Sequence, residues 1–209
     1  MQQVDAASIV PSVRDLLQVL STRRRNLALV ALIPAEKPAE EAARLAELNV
    51  SAFAAVEPGP SLAEAARATK TVPSLLLGAA GAKDALLLAR HHGADGVCVD
   101  ALLPVDAWDR LAQTARTMRM VPIAFAADGA GVEAAVKLGA RAILIRASSA
   151  AAVVELASKA PRALTLVAQV EGLDADGLRA LQGKVDAAVV PPALHASPGF
   201  AALVAEVDP

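Results

Sequence analysis

Gly93-Ala94-Asp95-Gly96-Val97-Cys98-Val99-Asp100 and Gly139-Ala140-Arg141-Ala142-Ile143-Leu144-Ile145-Arg146 share one plan. Each places a glycine where a helix ends in the left-handed region, follows it with a short apolar run, and closes on a charged residue. Apolar runs of this kind recur at 27–33, 51–56, 73–77, 96–100, 121–126, 141–146, 164–170 and 186–190. Their apolar positions are consecutive rather than alternating, as in parallel strands covered on both faces. Between them, 39–47, 62–69, 82–92, 105–118 and 132–138 carry charges at helical spacing and read as amphipathic helices. Strict alternation leaves an open doubly wound sheet or a closed barrel, and eight units favour closure. The expected fold is α/β, a compact (β/α)8 TIM barrel, with an extra N-terminal helix at 12–20 that closes the bottom. No linker composition divides the chain, so 1–209 reads as one domain, with a helical extension at 1–26 and the barrel at 27–209.

Composition removes several function classes. The chain is 55% hydrophobic, yet Pro, Gly and charges break its apolar blocks before any reaches membrane-spanning length. The first ten residues include Asp5 and lack a basic stretch before an apolar core, so no cleaved leader is expected and the protein is placed in the cytoplasm. A net charge of −2 and few aromatic residues offer neither a cationic field nor stacking platforms for nucleic acid. Cys98 is the only cysteine and sits in an apolar run, where a buried thiol is expected. Arg23-Arg24-Arg25 reads as a solvated turn before the first strand. His and Cys pairs at metal-ligand spacing are missing, and Gly78-Ala79-Ala80-Gly81 lacks the Lys and hydroxyl of a P-loop, so no metal or cofactor is expected.

In a (β/α)8 barrel the working groups stand at the C-terminal ends of the strands. Here those ends give Asp100, Arg146, Gln169 and Glu171, the candidate ligand-binding residues of the mouth. Two readings remain open for them: a polar ligand site, or an ion pair of Arg146 with Glu171 or Asp100 that satisfies inward polar groups. Glu36 and Lys37 read as solvated loop charges, His195 as a loop histidine, and His91-His92 as partners of a helix C-terminal dipole.

The phrasing of 27–33, 51–56, 59–62, 72–76, 93–96, 138–141 and 186–190, after a pre-barrel helix, resembles the indole-3-glycerol phosphate synthases of the tryptophan pathway over nearly the whole length. The resemblance implies a barrel that closes and decarboxylates a phosphorylated anthranilate derivative. It also implies a Glu and a Lys at the end of strand one, where 30–34 holds no ionisable residue. The Lys expected after strand three meets Leu76, Leu77 and Gly78; the Glu of strand five falls in 124–127, which has no acid; the Asn of strand six falls near Arg146. The Ser-Gly and Gly-x-Ser of the phosphate site become Glu171-Gly172 and Pro191-Pro192-Ala193, and the two prolines delete two backbone donors. The expectation is therefore a degenerate paralogue with no catalytic residues, acting as a scaffold or regulatory component through a protein partner, with a homo-oligomer allowed. The alternatives are a small-molecule binder or altered enzyme at the mouth, and, third, a surviving lyase using Glu36 and Lys37.

Overall fold

The computed structural model describes residues 9–22 and 24–208; the first eight residues, on which part of the leader argument rests, and Arg23 lie outside them. Eight parallel strands close into a barrel in chain order: β1 (Ala28–Leu32), β2 (Ala52–Ala55), β3 (Ser74–Leu76), β4 (Gly96–Asp100), β5 (Val121–Ala126), β6 (Ala142–Ala147), β7 (Thr165–Val170) and β8 (Ala187–Val190). Closure is made where β8 pairs with β1, Val189 opposite Val30. Helices α1 (Leu16–Leu20), α2 (Pro38–Glu47), α3 (Pro60–Ala68), α4 (Lys83–His91), α5 (Val105–Thr117), α6 (Gly129–Lys137), α7 (Ala150–Ala157), α8 (Ala175–Leu181), α9 (Pro192–His195) and α10 (Phe200–Val207) complete the described residues.

Side-chain alternation along the strands separates two cores. One set, including Val30, Ala54, Cys98, Leu144, Val167 and Val189, fills the barrel interior together with Leu16 and Leu20 of α1. The opposite set packs beneath the surrounding helices around Trp108 and Phe53. Leu16 plugs the N-terminal end so tightly that a Cβ on Gly96 would collide with it. Any larger residue there would have to push the Leu16 side chain aside.

The plug helix is shorter than the expected 12–20. Asp15 caps it by accepting from the N–H of Gln18 (3.0 Å), and Ser12 turns its hydroxyl to the buried Asp95 while accepting from the N–H of Arg14 (3.1 Å). Both side chains offer the backbone an alternative to helix. Arg14 then reaches Asp95 (Nε to Oδ2, 2.8 Å) and donates to the carbonyls of Val72 and Gly93, both at 2.9 Å. Arg90 binds the other carboxylate oxygen (2.8 Å), and the N–H of Ser74 donates to Asp95 (2.8 Å). Asp186 repeats the device half a turn further round the barrel, accepting from the N–H of Leu166 (2.9 Å) and of Arg24 (3.1 Å). Arg24 is accordingly half-buried in this joint with its backbone in the left-handed region, rather than a solvated turn residue. None of the helices is long and apolar enough to cross a membrane among the described residues.

Candidate functional site at the barrel mouth

Inward positions at the C-terminal strand ends define the mouth, and they divide it. Leu32, Leu77 and the half-exposed Val56 make one side aliphatic. There the chain passes so near itself that a Cβ on Gly78 would strike the Val56 carbonyl, to which the Gly78 N–H donates (2.9 Å). The other side carries Asp100, Phe125, Arg146 and Gln169, all half-buried. Parallel pairing aligns Asp100 with Phe125 and Arg146 with Gln169.

Arg146 is the centre of this polar half. Its Nε donates to Gln169 Oε1 (3.0 Å), and its guanidinium carbon lies 4.8 Å from the centre of the Phe125 ring. Both partners are neutral, so they fix the side chain without discharging it. Of the two readings left open, the ion pair with Glu171 or Asp100 does not form; Arg146 pairs with no acid among the described residues. Glu171 lies just past the end of β7, exposed, its N–H held by the Ala147 carbonyl (3.2 Å). Asp100 Oδ1 accepts from the N–H of Leu102 (2.9 Å), which fixes its carboxylate at the rim. One position below Asp100 on the inward face, burial pushes the Cys98 thiol up to about 12, while the positive charge of Arg146 pulls the other way. Burial of the thiol keeps it in the protonated, weakly nucleophilic form.

Beyond the strand ends, His195 belongs to the short helix α9 rather than a loop, and it is 2% exposed. Nδ1 stands 3.0 Å from Glu41 and Nε2 3.0 Å from the Leu32 carbonyl, while Arg44 donates to the His195 carbonyl (3.0 Å). The charged hydrogen bond from Arg44 holds the Glu41 carboxyl below its ordinary 4.5, against the opposing effect of partial burial. This cluster ties α2 and α9 to the end of β1. Pro191 and Pro192 suit the start of α9, where a missing N–H costs nothing. Glu36 and Lys37 stay exposed in the loop after β1, Lys37 paired with Glu40 at 3.0 Å. His91 ends α4 and His92 caps it; burial, and then His91, lowers the pKa of His92. Sequence reasoning missed Phe125 and the Glu41–Arg44–His195 cluster. Phe125 was open to discovery, because it alternates inward with Ile123 two positions earlier.

No protein-family model matches the chain, and no curated protein matches its sequence. Solved structures do. A thiamine phosphate pyrophosphorylase from Pyrococcus furiosus superposes with a TM-score of 0.63 at 16% identity, covering 89% of this chain and 99% of that one. A 3-hexulose-6-phosphate synthase gives 0.64 at 16% identity, covering 87% and 98%. KGPDC from Streptococcus mutans gives 0.69 at 10% identity, covering 88% and 100%. The chain has the fold of these barrels. At such identities the likeness concerns fold alone, and 772 solved chains match, so the fold selects no single activity.

These neighbours overturn the indole-3-glycerol phosphate synthase resemblance, and with it the degenerate-paralogue scaffold and the tryptophan-pathway description. The structure supplies the physical reason. Gly93 takes a φ of +94° to end α4, and Asp95 pins the first residue of β3; Gly139 does the same turning work before β6. Phrases such as Gly-Ala-Asp are joinery that this fold needs at its lower end. They do not distinguish one barrel family from another.

Proposed function

We propose that the barrel mouth binds a small hydroxylated metabolite through a single oxyanionic group, of which a phosphate monoester is the best-fitting class. One observation carries the reading: Arg146 is held over the mouth by neutral partners and keeps its charge for a ligand. A guanidinium presents paired N–H donors that match phosphate oxygens, and such charge-assisted bonds are each worth ~1.5–3 kcal/mol. Gln169 on β7, beside Arg146, and Asp100 on β4, two strands from it, are available to hydrogen-bond hydroxyls, and the aliphatic side of Leu32, Val56 and Leu77 receives the carbon skeleton. Exposed Glu171 beside the mouth disfavours a second anionic group. Two of the three neighbours carry a phosphorylated compound in their names, which agrees with this class.

The test is calorimetric titration of the purified protein with a panel of three- to six-carbon sugar phosphates and the matching unphosphorylated sugars. Binding of at least one phosphate ester, absent for its parent sugar and weakened by about tenfold or more in Arg146→Met, is the expected result. Equal affinity of Arg146→Met and wild type for every binder would overturn the reading.

A further inference from the structure

The strongest feature that the mouth does not absorb lies at the opposite end of the barrel. Arg24, Arg162, Ala163 and Gly183 wall a cavity of about 570 Å³. Arg24 precedes β1, Arg162 and Ala163 lie in the turn before β7, and Gly183 follows α8 with a φ of +72°. The two small residues leave the cavity unfilled, and a Cβ on Gly183 would meet nothing within 4 Å.

Arg24 is short of acceptors. The Asp186 carboxylate beneath it already takes the N–H of Leu166 (2.9 Å) and that of Arg24 itself (3.1 Å), so the guanidinium approaches it only to 3.9 Å. Its Nε and Nη2 are buried without a hydrogen-bond partner, while the side chain keeps 18% exposure and lines the cavity. Buried donors without acceptors are rare in folded proteins, and each one asks what satisfies it. Arg162, exposed on the facing wall, joins no ion pair among the described residues. Counting Arg24, Arg162 and Asp186, the cavity carries one net positive charge.

We infer that this cavity is a second oxyanion site, of the inorganic phosphate or phosphate monoester class, gripped between the guanidinium groups of Arg24 and Arg162. The inference is independent of the mouth. An anion seated there would meet the exposed part of the Arg24 side chain, which the Asp186 carboxylate leaves without a close ion pair, and brace the Asp186 joint between the starts of β7 and β8. Occupancy at the bottom would thus register as resistance to unfolding.

Titrating the full-length protein with inorganic phosphate in an oxyanion-free buffer, by calorimetry and by thermal shift, tests it. Arg162→Met and Ala163→Glu change exposed positions and leave the core intact. Each is expected to weaken phosphate binding by about tenfold or more and to abolish the accompanying thermal shift. Arg146→Met, at the other end, is expected to leave this binding in place, and Arg116→Met, on the same end but outside the cavity, likewise. Unchanged binding in Arg162→Met overturns the inference. So does an equal loss in Arg116→Met, which means a diffuse positive field, or a complete loss in Arg146→Met, which assigns all phosphate binding to the mouth. Loss in Arg162→Met with no effect of Arg146→Met on any ligand leaves the bottom site standing and removes the mouth reading.

Discussion

Replacing Asp95 by Asn keeps the shape of the side chain and removes the charge on which the lower end of the barrel converges. The carboxylate is fully buried and takes Arg14, Arg90, the Ser12 hydroxyl and the Ser74 N–H at once. Asparagine leaves one oxygen for these donors and turns an amide donor toward the rest. Removing one partner of a buried ion pair costs ~3–5 kcal/mol. Here the two cations retain other acceptors, Arg14 at Val72 and Gly93 and Arg90 at Val10 (2.8 Å), so the lower figure applies. About 3 kcal/mol in a domain of this size is a fall in melting temperature of roughly 6–12 °C. Urea unfolding followed by the fluorescence of Trp108, the single tryptophan and 1% exposed, measures it directly. Asp186→Asn supplies the comparison, because its cation stands 3.9 Å away and contributes less. A loss below about 1 kcal/mol for Asp95→Asn, or a larger loss for Asp186→Asn, refutes the reasoning.

Gly96→Ala drives a methyl group into Leu16 and Leu75, an overpacking expected to cost ~1–3 kcal/mol; adding Leu16→Ala is expected to cost less than the sum of the two changes, as double-mutant unfolding curves will show. Cys98, its thiol pushed up to about 12, is expected to resist a thiol-specific chromogenic reagent at pH 8 until denaturant is added. Because Arg44 lowers the folded-state value of Glu41, that carboxylate stabilises above the ordinary 4.5 and loses its contribution as pH falls through the lower folded value; the melting-temperature gap between wild type and Glu41→Gln should be constant near neutrality and close in acid. Raising salt from about 10 to 150 mM shortens the screening length from roughly 30 to 8 Å. Phosphate binding at the Arg24–Arg162 cavity is expected to weaken over that range, and sugar-phosphate binding at the mouth to hold or strengthen, both read by titration calorimetry.

The barrel was legible because each strand is a short apolar run bounded by turn chemistry, and the observed strands fall within the eight expected ranges or one residue from them. The rule that working groups stand at C-terminal strand ends also singled out Asp100, Arg146 and Gln169, each at or one residue from the end of its strand. The same rule picked Glu171, which lies beyond the end of β7 at Val170 and is exposed, because a residue past the last strand position need not follow the inward alternation. Helix α9 was obscured by Pro191-Pro192, which break most helices yet suit a first turn. The burial of His195 depends on Glu41 and on the Leu32 carbonyl, groups far away in sequence that closure of β8 onto β1 brings beside it. Local pattern carries no such information. The same limit explains the mistaken family resemblance, which weighed junction phrases that the joint at Asp95 requires of the fold.

The opposite salt responses expected at the two ends have one cause. Helix N-termini attract carboxylates and C-termini attract cations. In a barrel whose helices all run the same way, that local preference adds up over the whole molecule. Glu40, Glu41, Asp84, Asp106 and Asp176 stand in first turns, on the side of the mouth. Arg67, Arg90, Arg116 and Lys137 stand in last turns, on the side of the plug, while Arg44 and Arg179 turn back to Glu41 and Asp176. The charge of the mouth is therefore unfavourable to anions at long range and favourable only at contact with Arg146. Screening removes the first effect and hardly touches the second, because Arg146 is half-buried. On the proposed reading, such a site is expected to prefer a ligand with one anionic group and hydroxyls for the surrounding carboxylates over polyanions. At the plug end, long-range field and contact cations have the same sign, so any oxyanion is drawn in and salt competes with it throughout.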